Sequence, residues 1–148
     1  MSHEYWDTVQ DDYAKLIIVG TERCLESKLQ NWREGRCTPS SGIYIIRASD
    51  GDIIYVGESS DILKRFETHG TVTYFSAVRR NLGTDILGFT LQTRNGKKRY
   101  FEQGEDRSVT EFLMGCSIAF FPVSVGRIEV EEHLIKQLQP ILNRKSKK

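Results

Sequence analysis

A single Asp-Gly pair between two apolar runs constrains the fold of this chain more than any other feature. The runs cover residues 43–46 and 53–56, and Asp50-Gly51 lies between them. Such a pair between apolar segments predicts a β-hairpin, because a type I′ turn needs positive φ angles at both of its central residues. We therefore predict two antiparallel strands joined by a two-residue turn.

This turn determines which residues face each other across the hairpin. Tyr44 is predicted to lie opposite Gly57, and Ile46 opposite Tyr55. Side chains alternate between the two faces of a strand, so both tyrosines point to the same face as diagonal neighbours. Gly57 leaves open space beside the Tyr44 hydroxyl. The hairpin therefore predicts a polar site with two phenols rather than a packed apolar surface.

The residues after the hairpin predict a helix that carries an arginine and a histidine. Ser59 or Ser60 can cap a helix that begins near Asp61. Arg65 and His69 follow at intervals of four residues, so they share one stripe of this helix with Asp61. A guanidinium group binds a phosphate through two contacts and keeps its charge at any working pH. The pattern suits an anionic substrate.

A glutamate near the end of the chain is a candidate metal ligand. Residues 130–139 predict a helix with an apolar, core-facing stripe. Glu131 lies on the same face as this stripe, where a carboxylate is costly unless a cation compensates it. Glu129 and Glu132 compete for this assignment, but Glu132 points about 100° away. A favourable interaction with the helix dipole is the alternative interpretation of Glu131.

These residues resemble the GIY-YIG nuclease domain in type and spacing. The resemblance covers about residues 41–143 and has two blocks, residues 42–69 and residues 131–143. The second block is similar to the end of the nuclease domain in the bacterial excision-repair incision subunit. Residues 70–125 show no motif that aligns, which favours an insertion there. The resemblance is carried by Gly42-Ile43-Tyr44, Tyr55-Val56-Gly57, Arg65, His69 and Glu131.

The resemblance implies a metal-dependent endonuclease that hydrolyses phosphodiester bonds in DNA, either duplex or branched. It implies that Mg²⁺ binds at Glu131, with Mn²⁺ as a substitute. The general base stays open between a tyrosine and His69, because an unperturbed phenol titrates near pH ~10. A catalytically silent nucleic-acid-binding subunit of a repair, recombination or restriction complex is the alternative. The implied catalytic residues are Tyr44, Tyr55, Arg65, His69 and Glu131, and the supporting residues are Gly42, Gly57 and Asn143.

Charge is distributed unevenly, although the net charge is only +1. Residues 1–34 carry seven acidic and four basic side chains, so the rest of the chain carries a net charge of +4. Basic clusters can neutralise phosphates and make affinity fall with salt. Solvated surface is the alternative for any one cluster. The nucleic-acid contacts that we predict are Lys64, Arg79, Arg80 and Lys136.

We predict an α/β (α+β) fold with a small, mostly antiparallel three-stranded sheet flanked by helices. Residues 1–40 are expected to form a helical N-terminal extension, and residues 41–148 the nuclease domain with an insertion within 70–125. The other predicted elements are helices over 6–19, 22–33 and 71–81, a strand over 88–93, a charged loop over 97–108 and a central strand over 118–125.

Further features bear on location and assembly. No apolar run approaches the ~18 residues of a membrane span, and residues 1–12 lack the apolar segment of a signal peptide. The three cysteines show no Cys-x-x-Cys pairing, so we expect reduced thiols. We predict a cytoplasmic protein without a membrane partner. The apolar residues of the N-terminal helices fit either packing on the core or the surface of a homo-oligomer.

Overall fold

A central antiparallel sheet with helices on both faces forms the body of the protein. The computed structural model describes residues 3–144. A 3₁₀ turn covers Trp32–Glu34, and a π-helical turn covers Leu82–Ile86. The helices of this part are α1 (His3–Leu25), α2 (Ile62–Thr71), α3 (Ala77–Asn81), α4 (Gln103–Met114) and α5 (Arg127–Leu138). The strands are β1 (Gln30–Asn31), β2 (Gly42–Arg47), β3 (Ile53–Ser59), β4 (Gln92–Arg94), β5 (Lys97–Tyr100) and β6 (Ser117–Pro122).

The main sheet has the strand order β1–β6–β2–β3, and all neighbouring strands are antiparallel. The predicted three-stranded sheet is confirmed as β6, β2 and β3, and the short β1 adds a fourth strand at one edge. Strand β2 is buried from Gly42 to Ile46. A strand that is covered on both faces has no solvent-facing side, which explains the continuous apolar run in its sequence.

Different helices cover the two faces of the sheet. Ile43 and Ile45 of β2 pack in one apolar cluster with residues of α1 and α5 such as Leu134. Tyr44 and Ile46 point to the other face and belong to a second cluster with residues of α2, α3 and α4. The candidate tyrosines therefore lie on the face that α2 covers.

The hairpin has the predicted register at the tyrosines, but its turn differs from our prediction. Gly51 has a φ of 100°, and its N–H donates to the carbonyl of Ala48. This is a three-residue loop that ends in a left-handed glycine, rather than a two-residue type I′ turn. The extra loop residue shifts the pairing by one position. Ile54 is an additional residue of β3, because Ile46 pairs with Tyr55 whereas Arg47 pairs with Ile53, and it shifts the pairing back. The two shifts cancel, so Tyr44 pairs with Gly57 as predicted.

The predicted helix over 22–33 is wrong. Helix α1 ends at Leu25, and the chain then forms β1 and the 3₁₀ turn. Trp32 is buried, and its N–H donates to the carbonyl of Cys116. This contact with a residue far along the chain overrides the local helical spacing.

Two predictions between the motif blocks are also wrong. The predicted helix over 71–81 is interrupted, because Ser76 caps a new helix, α3. The charged segment 97–108 is not a loop, since it contains β5 and the first turns of α4. Helix α4 is anchored by buried Val109 and Leu113, and its Arg107 and Glu111 are exposed on the outer side.

The remaining predicted elements are present with shifted ends. The helices over 6–19 and 130–139 lie in α1 and α5, the strand over 118–125 is β6, and the strand over 88–93 overlaps only the first residues of β4. Asp61, rather than Ser59 or Ser60, caps α2, and its side chain accepts the N–H of Lys64. The division at residue 40 stays a prediction, although β1 lies before it and belongs to the main sheet. No helix in residues 3–144 is both long and apolar enough to cross a membrane.

Candidate active site

Two tyrosines lie at the centre of the candidate site, and Gly57 makes room for one of them. The rings of Tyr44 and Tyr55 are stacked with centroids 6.0 Å apart. A Cβ at Gly57 would overlap the Tyr44 ring, so the space that we predicted to be open is filled by that ring. A Cβ at Gly42 would overlap the carbonyl oxygen of Phe121 on β6. Both glycines thus permit close packing within the sheet.

His69 on α2 connects Tyr44 to a serine. The Nε2 atom of His69 lies 2.7 Å from Tyr44 Oη, and its Nδ1 atom lies 2.6 Å from Ser76 Oγ. All three side chains are buried. Burial, followed by the charges of Arg65 and its arginine neighbours, lowers the pKa of His69 to about 3. His69 is therefore neutral at physiological pH.

The hydrogen bonds of Ser76 indicate which nitrogen of His69 carries the proton. Ser76 Oγ already accepts the backbone N–H of Arg79 at 3.0 Å. Within the described residues, the acceptor that remains for the Ser76 hydroxyl hydrogen is Nδ1 of His69. A proton on Nδ1 would leave that buried hydroxyl hydrogen unsatisfied, at a cost of about 1–3 kcal/mol. The favoured tautomer carries its proton on Nε2 and donates it to Tyr44 Oη.

Positive charge surrounds the tyrosines. Arg65 and Arg80 donate hydrogen bonds to the carbonyl oxygens of Phe75 and Tyr74. Burial lowers the pKa of Arg80, and the charges of Arg99 and Arg65 lower it further. None of these three arginines has an ion pair within residues 3–144. Cations that repel one another at a partly buried site favour a bound anion.

The predicted nucleic-acid contacts divide into two groups. Lys64 and Lys136 are exposed, and Arg80 lines a cavity of about 520 Å³ beside Tyr55. Arg79, in contrast, is fully buried; its guanidinium donates to Thr73 and Thr110 and to backbone carbonyls, and it pairs with Asp106. The structure therefore contradicts a surface contact at Arg79, whose role is to join α3 to α4.

The outer edge of β3 positions the end of the chain and Glu131. Because β3 is the last strand of the sheet, alternate residues direct backbone groups away from β2. The side chain of Asn143 pairs with both backbone groups of Val56, at 2.9 and 2.7 Å, and the N–H of Leu142 donates to Ile54. Glu131 receives a backbone hydrogen bond from Glu58, two residues further along the same edge.

Glu131 is thereby held beside Tyr55 at the arginine-lined cavity. Burial raises the pKa of Glu131 to about 7, and the charge of Glu58 contributes. Burial also raises the pKa of Tyr55, with Glu131 as the next cause. The charge of Glu131 therefore makes Tyr55 harder to ionise. A cation bound at this position would relieve both effects.

A family model described as the GIY-YIG catalytic domain matches residues 40–146 of the chain. The chain belongs to the GIY-YIG family. This family is one of nuclease-type domains, so a nucleic acid is the class of substrate to which the domain is suited. A search of curated proteins found no match.

The donor set of this GIY-YIG domain fits a hydrated divalent cation. Within residues 3–144, no three His, Cys, Asp or Glu side chains are grouped to hold a metal on their own. Glu58, whose charge raises the pKa of Glu131, already pairs with Arg127 at 2.6 Å. Mg²⁺ commonly binds through one or two carboxylates and keeps several waters. Glu131 can therefore anchor such an ion as a single protein ligand.

Two residues of this GIY-YIG site were missed by sequence reasoning. Ser76 precedes a short helix, and its position as a helix cap was a detectable signal, but nothing local connects it to His69. Arg99 was assigned to a charged loop, and its position at the site depends on how β5 folds. Ser76 reaches the site through its contact with His69, seven residues earlier, and Arg99 through its position near Arg80.

We expect nitrogen NMR to report the predicted tautomer of His69. The chain has three histidines, so ¹⁵N-histidine labelling with His69→Gln for assignment gives a simple spectrum. Ring ¹⁵N shifts should show a neutral His69 with its proton on Nε2 down to pH 5, because its pKa is about 3. Ser76→Ala should shift both ring signals, and Ser76→Thr should restore them. A ring protonated on Nδ1, or one that titrates near pH 6.5, would contradict the assignment.

We expect the stability of the metal-free protein to depend on Glu131 and pH. Its folded-state pKa of about 7 lies above the ordinary 4.5, so this contribution is complete below pH 4.5 and is lost as pH rises to 7. Because the side chain is partly exposed, we discount the effect to about 1 kcal/mol, or ~3 °C in midpoint. In EDTA, Glu131→Gln should therefore melt higher than the parent at pH 8 and equally at pH 4.

Adding Mg²⁺ at pH 8 should raise the melting midpoint of the parent and leave that of Glu131→Gln unchanged. Glu132→Gln, an exposed neighbour on α5, is the matched control and should respond to Mg²⁺ like the parent. An equal response of all three proteins would show that Mg²⁺ acts elsewhere.

Proposed function

We propose that the protein is a divalent-metal-dependent endonuclease that hydrolyses phosphodiester bonds in DNA. The observation that supports this most is a cavity lined by Tyr55, Glu131 and two arginines that have no ion pair within residues 3–144. Tyr44, stacked on Tyr55 and hydrogen bonded to buried His69, lies directly behind it. These groups come from β2, β3, α2, α3 and α5, and each is held by contacts to its neighbours. The catalytic set is intact, which favours an active enzyme over a silent binding subunit.

Arg65 binds the phosphate in this proposal. Its charge lies close enough to oppose the rise in the pKa of Tyr44 and to lower that of His69. A guanidinium at this position offsets the charge that develops on the phosphoryl oxygens in the transition state. When bound at Glu131, a divalent cation supplies further stabilisation of that charge.

Tyr44 positions the attacking water, and His69 supports Tyr44. Burial raises the pKa of Tyr44 well above its ordinary value, and Arg65 only partly opposes that rise. Since Nε2–H of His69 donates to Tyr44 Oη, it fixes the position of that oxygen, and the phenol keeps its own proton. We therefore assign His69 as a hydrogen-bond donor rather than as the acceptor of the Tyr44 proton. Tyr55 stacks on Tyr44 and lies beside Glu131, so it helps to hold both groups in position.

Plasmid cleavage tests the proposed function. Supercoiled plasmid should be nicked with Mg²⁺ or Mn²⁺ and not with EDTA. Glu131→Ala and Tyr44→Phe should each reduce nicking by about 100-fold or more, because each removes a group that acts in the transition state. Duplex binding by both variants should persist, and Glu132→Ala should cleave like the parent. Full turnover by folded Glu131→Ala would contradict the proposal.

We also propose that two copies associate through α1. Trp6, Val9, Tyr13 and Leu16 are exposed and lie at helical spacing on one stripe. Ile17 lies further along the same face of α1 and packs on the core. The exposed stripe is therefore the continuation of the buried face of this helix. Antiparallel pairing about residue 11 would place Trp6 against Leu16 and Val9 against Tyr13 of the second copy. It would also place each Asp7 beside Lys15, which makes the surface self-complementary in charge.

Light scattering coupled to gel filtration tests this association. The parent should elute with the mass of a dimer, twice the 17.0 kDa of one chain. Trp6→Gln with Tyr13→Gln should shift the mass to that of a monomer, because the apolar stripe is lost. Ile141→Gln, an exposed apolar position at the opposite end of the described chain, should stay dimeric. A monomeric parent at ~100 μM would contradict the proposal.

A further inference from the structure

Strands β4 and β5 form a two-stranded ribbon that pairs with no other strand of the described residues. Asn95 and Gly96 connect them, with φ angles of 53° and 76°. This is the type I′ geometry that the strand twist favours in a two-residue turn. Every residue from Gln92 to Lys98 is exposed. The ribbon therefore projects from the body of the protein.

The charge of this ribbon has one sign. Four cations and no acidic residue occur between Gln92 and Tyr100. Within the described part of the chain, none of these cations is in an ion pair. An isolated two-stranded hairpin is only marginally stable in water. A projecting, positively charged ribbon without an apolar core is therefore stabilised most by an anionic partner that covers it.

The base of the ribbon is fixed. The buried ring of Phe101 packs against Gly83, where a Cβ would overlap it. The ring of Tyr100 lies 5.4 Å from that of Tyr74, and the guanidinium carbon of Arg94 lies 4.3 Å from the centroid of Tyr100. The orientation of Arg94 is thereby restrained before any partner binds.

A bulge directs part of the ribbon into the active-site cavity. Thr93 pairs with Lys98, whereas Gln92 pairs with Tyr100, so Arg99 is the additional residue of β5. A bulge changes the direction of the side chains beside it. Lys98 and Arg99 both line the cavity that contains Tyr55 and Glu131. The ribbon therefore begins at the candidate catalytic groups and extends away from them.

We propose that this ribbon enters the major groove of duplex DNA next to the phosphate that is cut. Lys98 and Arg99 contact phosphates beside the scissile bond, and Arg94, Asn95 and Lys97 reach base edges at the tip. The major groove of B-form DNA is wide enough for a two-stranded ribbon. The major groove of an A-form RNA duplex, in contrast, is too deep and narrow for side chains to reach the base edges. The ribbon thus selects duplex DNA over duplex RNA.

This inference rests on the proposed function for its choice of nucleic acid, and a binding assay separates the two. Glu131→Gln serves as the background, so that binding is measured without cleavage. The probes are a 20-base-pair DNA duplex and the RNA duplex of the same sequence. The ribbon variant is Arg94→Gln with Lys97→Gln. Its control is Arg23→Gln with Lys28→Gln, which removes the same charge from exposed positions near the N-terminus.

The ribbon variant should bind the DNA duplex about tenfold or more weakly than the background protein, whereas its RNA affinity should fall no more than that of the control. An equal loss of affinity for DNA and for RNA would overturn the inference, because the ribbon would then bind phosphates without distinguishing the two duplexes. An unchanged DNA affinity would overturn it as well. Circular dichroism should show that the variant is folded. A DNA-selective loss, together with a parent that nicks no plasmid, would keep this inference and refute the proposed function.

Discussion

The backbone of β3 is hydrogen bonded on both sides, although β3 is the last strand of its sheet. On its inner side it pairs with β2, and this pairing stacks the two tyrosines. On its outer side it binds the side chain of Asn143 and the N–H of Leu142, and it donates to Glu131. One strand thus fixes the distance between the phenols on the sheet and the carboxylate on α5. An unpaired strand edge would leave that distance undefined.

Burial acts on the groups of this site in a consistent direction. It opposes the charged form of His69, of both tyrosines and of Glu131, so each is neutral more readily than in water. The arginines cannot become neutral in the same way and keep their charge. Without substrate the site is therefore positively charged. A phosphate and a divalent cation together would supply the anion that the arginines need and the cation that Glu131 needs.

The site could be predicted from sequence where its signals are local. The hairpin motif, the spacing of Arg65 and His69, and the face of Glu131 are all readable within a few residues. The register at Tyr44 was predicted correctly although the turn was not, because the bulge near Ile54 offsets the extra loop residue. Trp32 could not be placed, since its partner Cys116 lies far along the chain. Ser76 could not be placed, since the predicted helix over 71–81 misses the break before α3 that brings Ser76 back to His69. Only the second strand of the ribbon, β5, falls in the segment that we predicted to be a loop, because a strand without a core shows no apolar alternation.

The first half of α1 and the β4–β5 ribbon are both exposed, and their charges differ in sign. The first half of α1 carries Glu4, Asp7, Asp11 and Asp12 around its apolar stripe. The ribbon carries only cations. The acidic helix is repelled by DNA, and burial of its apolar stripe would stabilise it. The ribbon has no apolar stripe, and neutralisation of its charge would stabilise it. The same chain therefore presents one surface suited to another copy of itself and another suited to nucleic acid. In the proposed dimer, this separation would keep the contact between the two copies away from the surface that binds DNA.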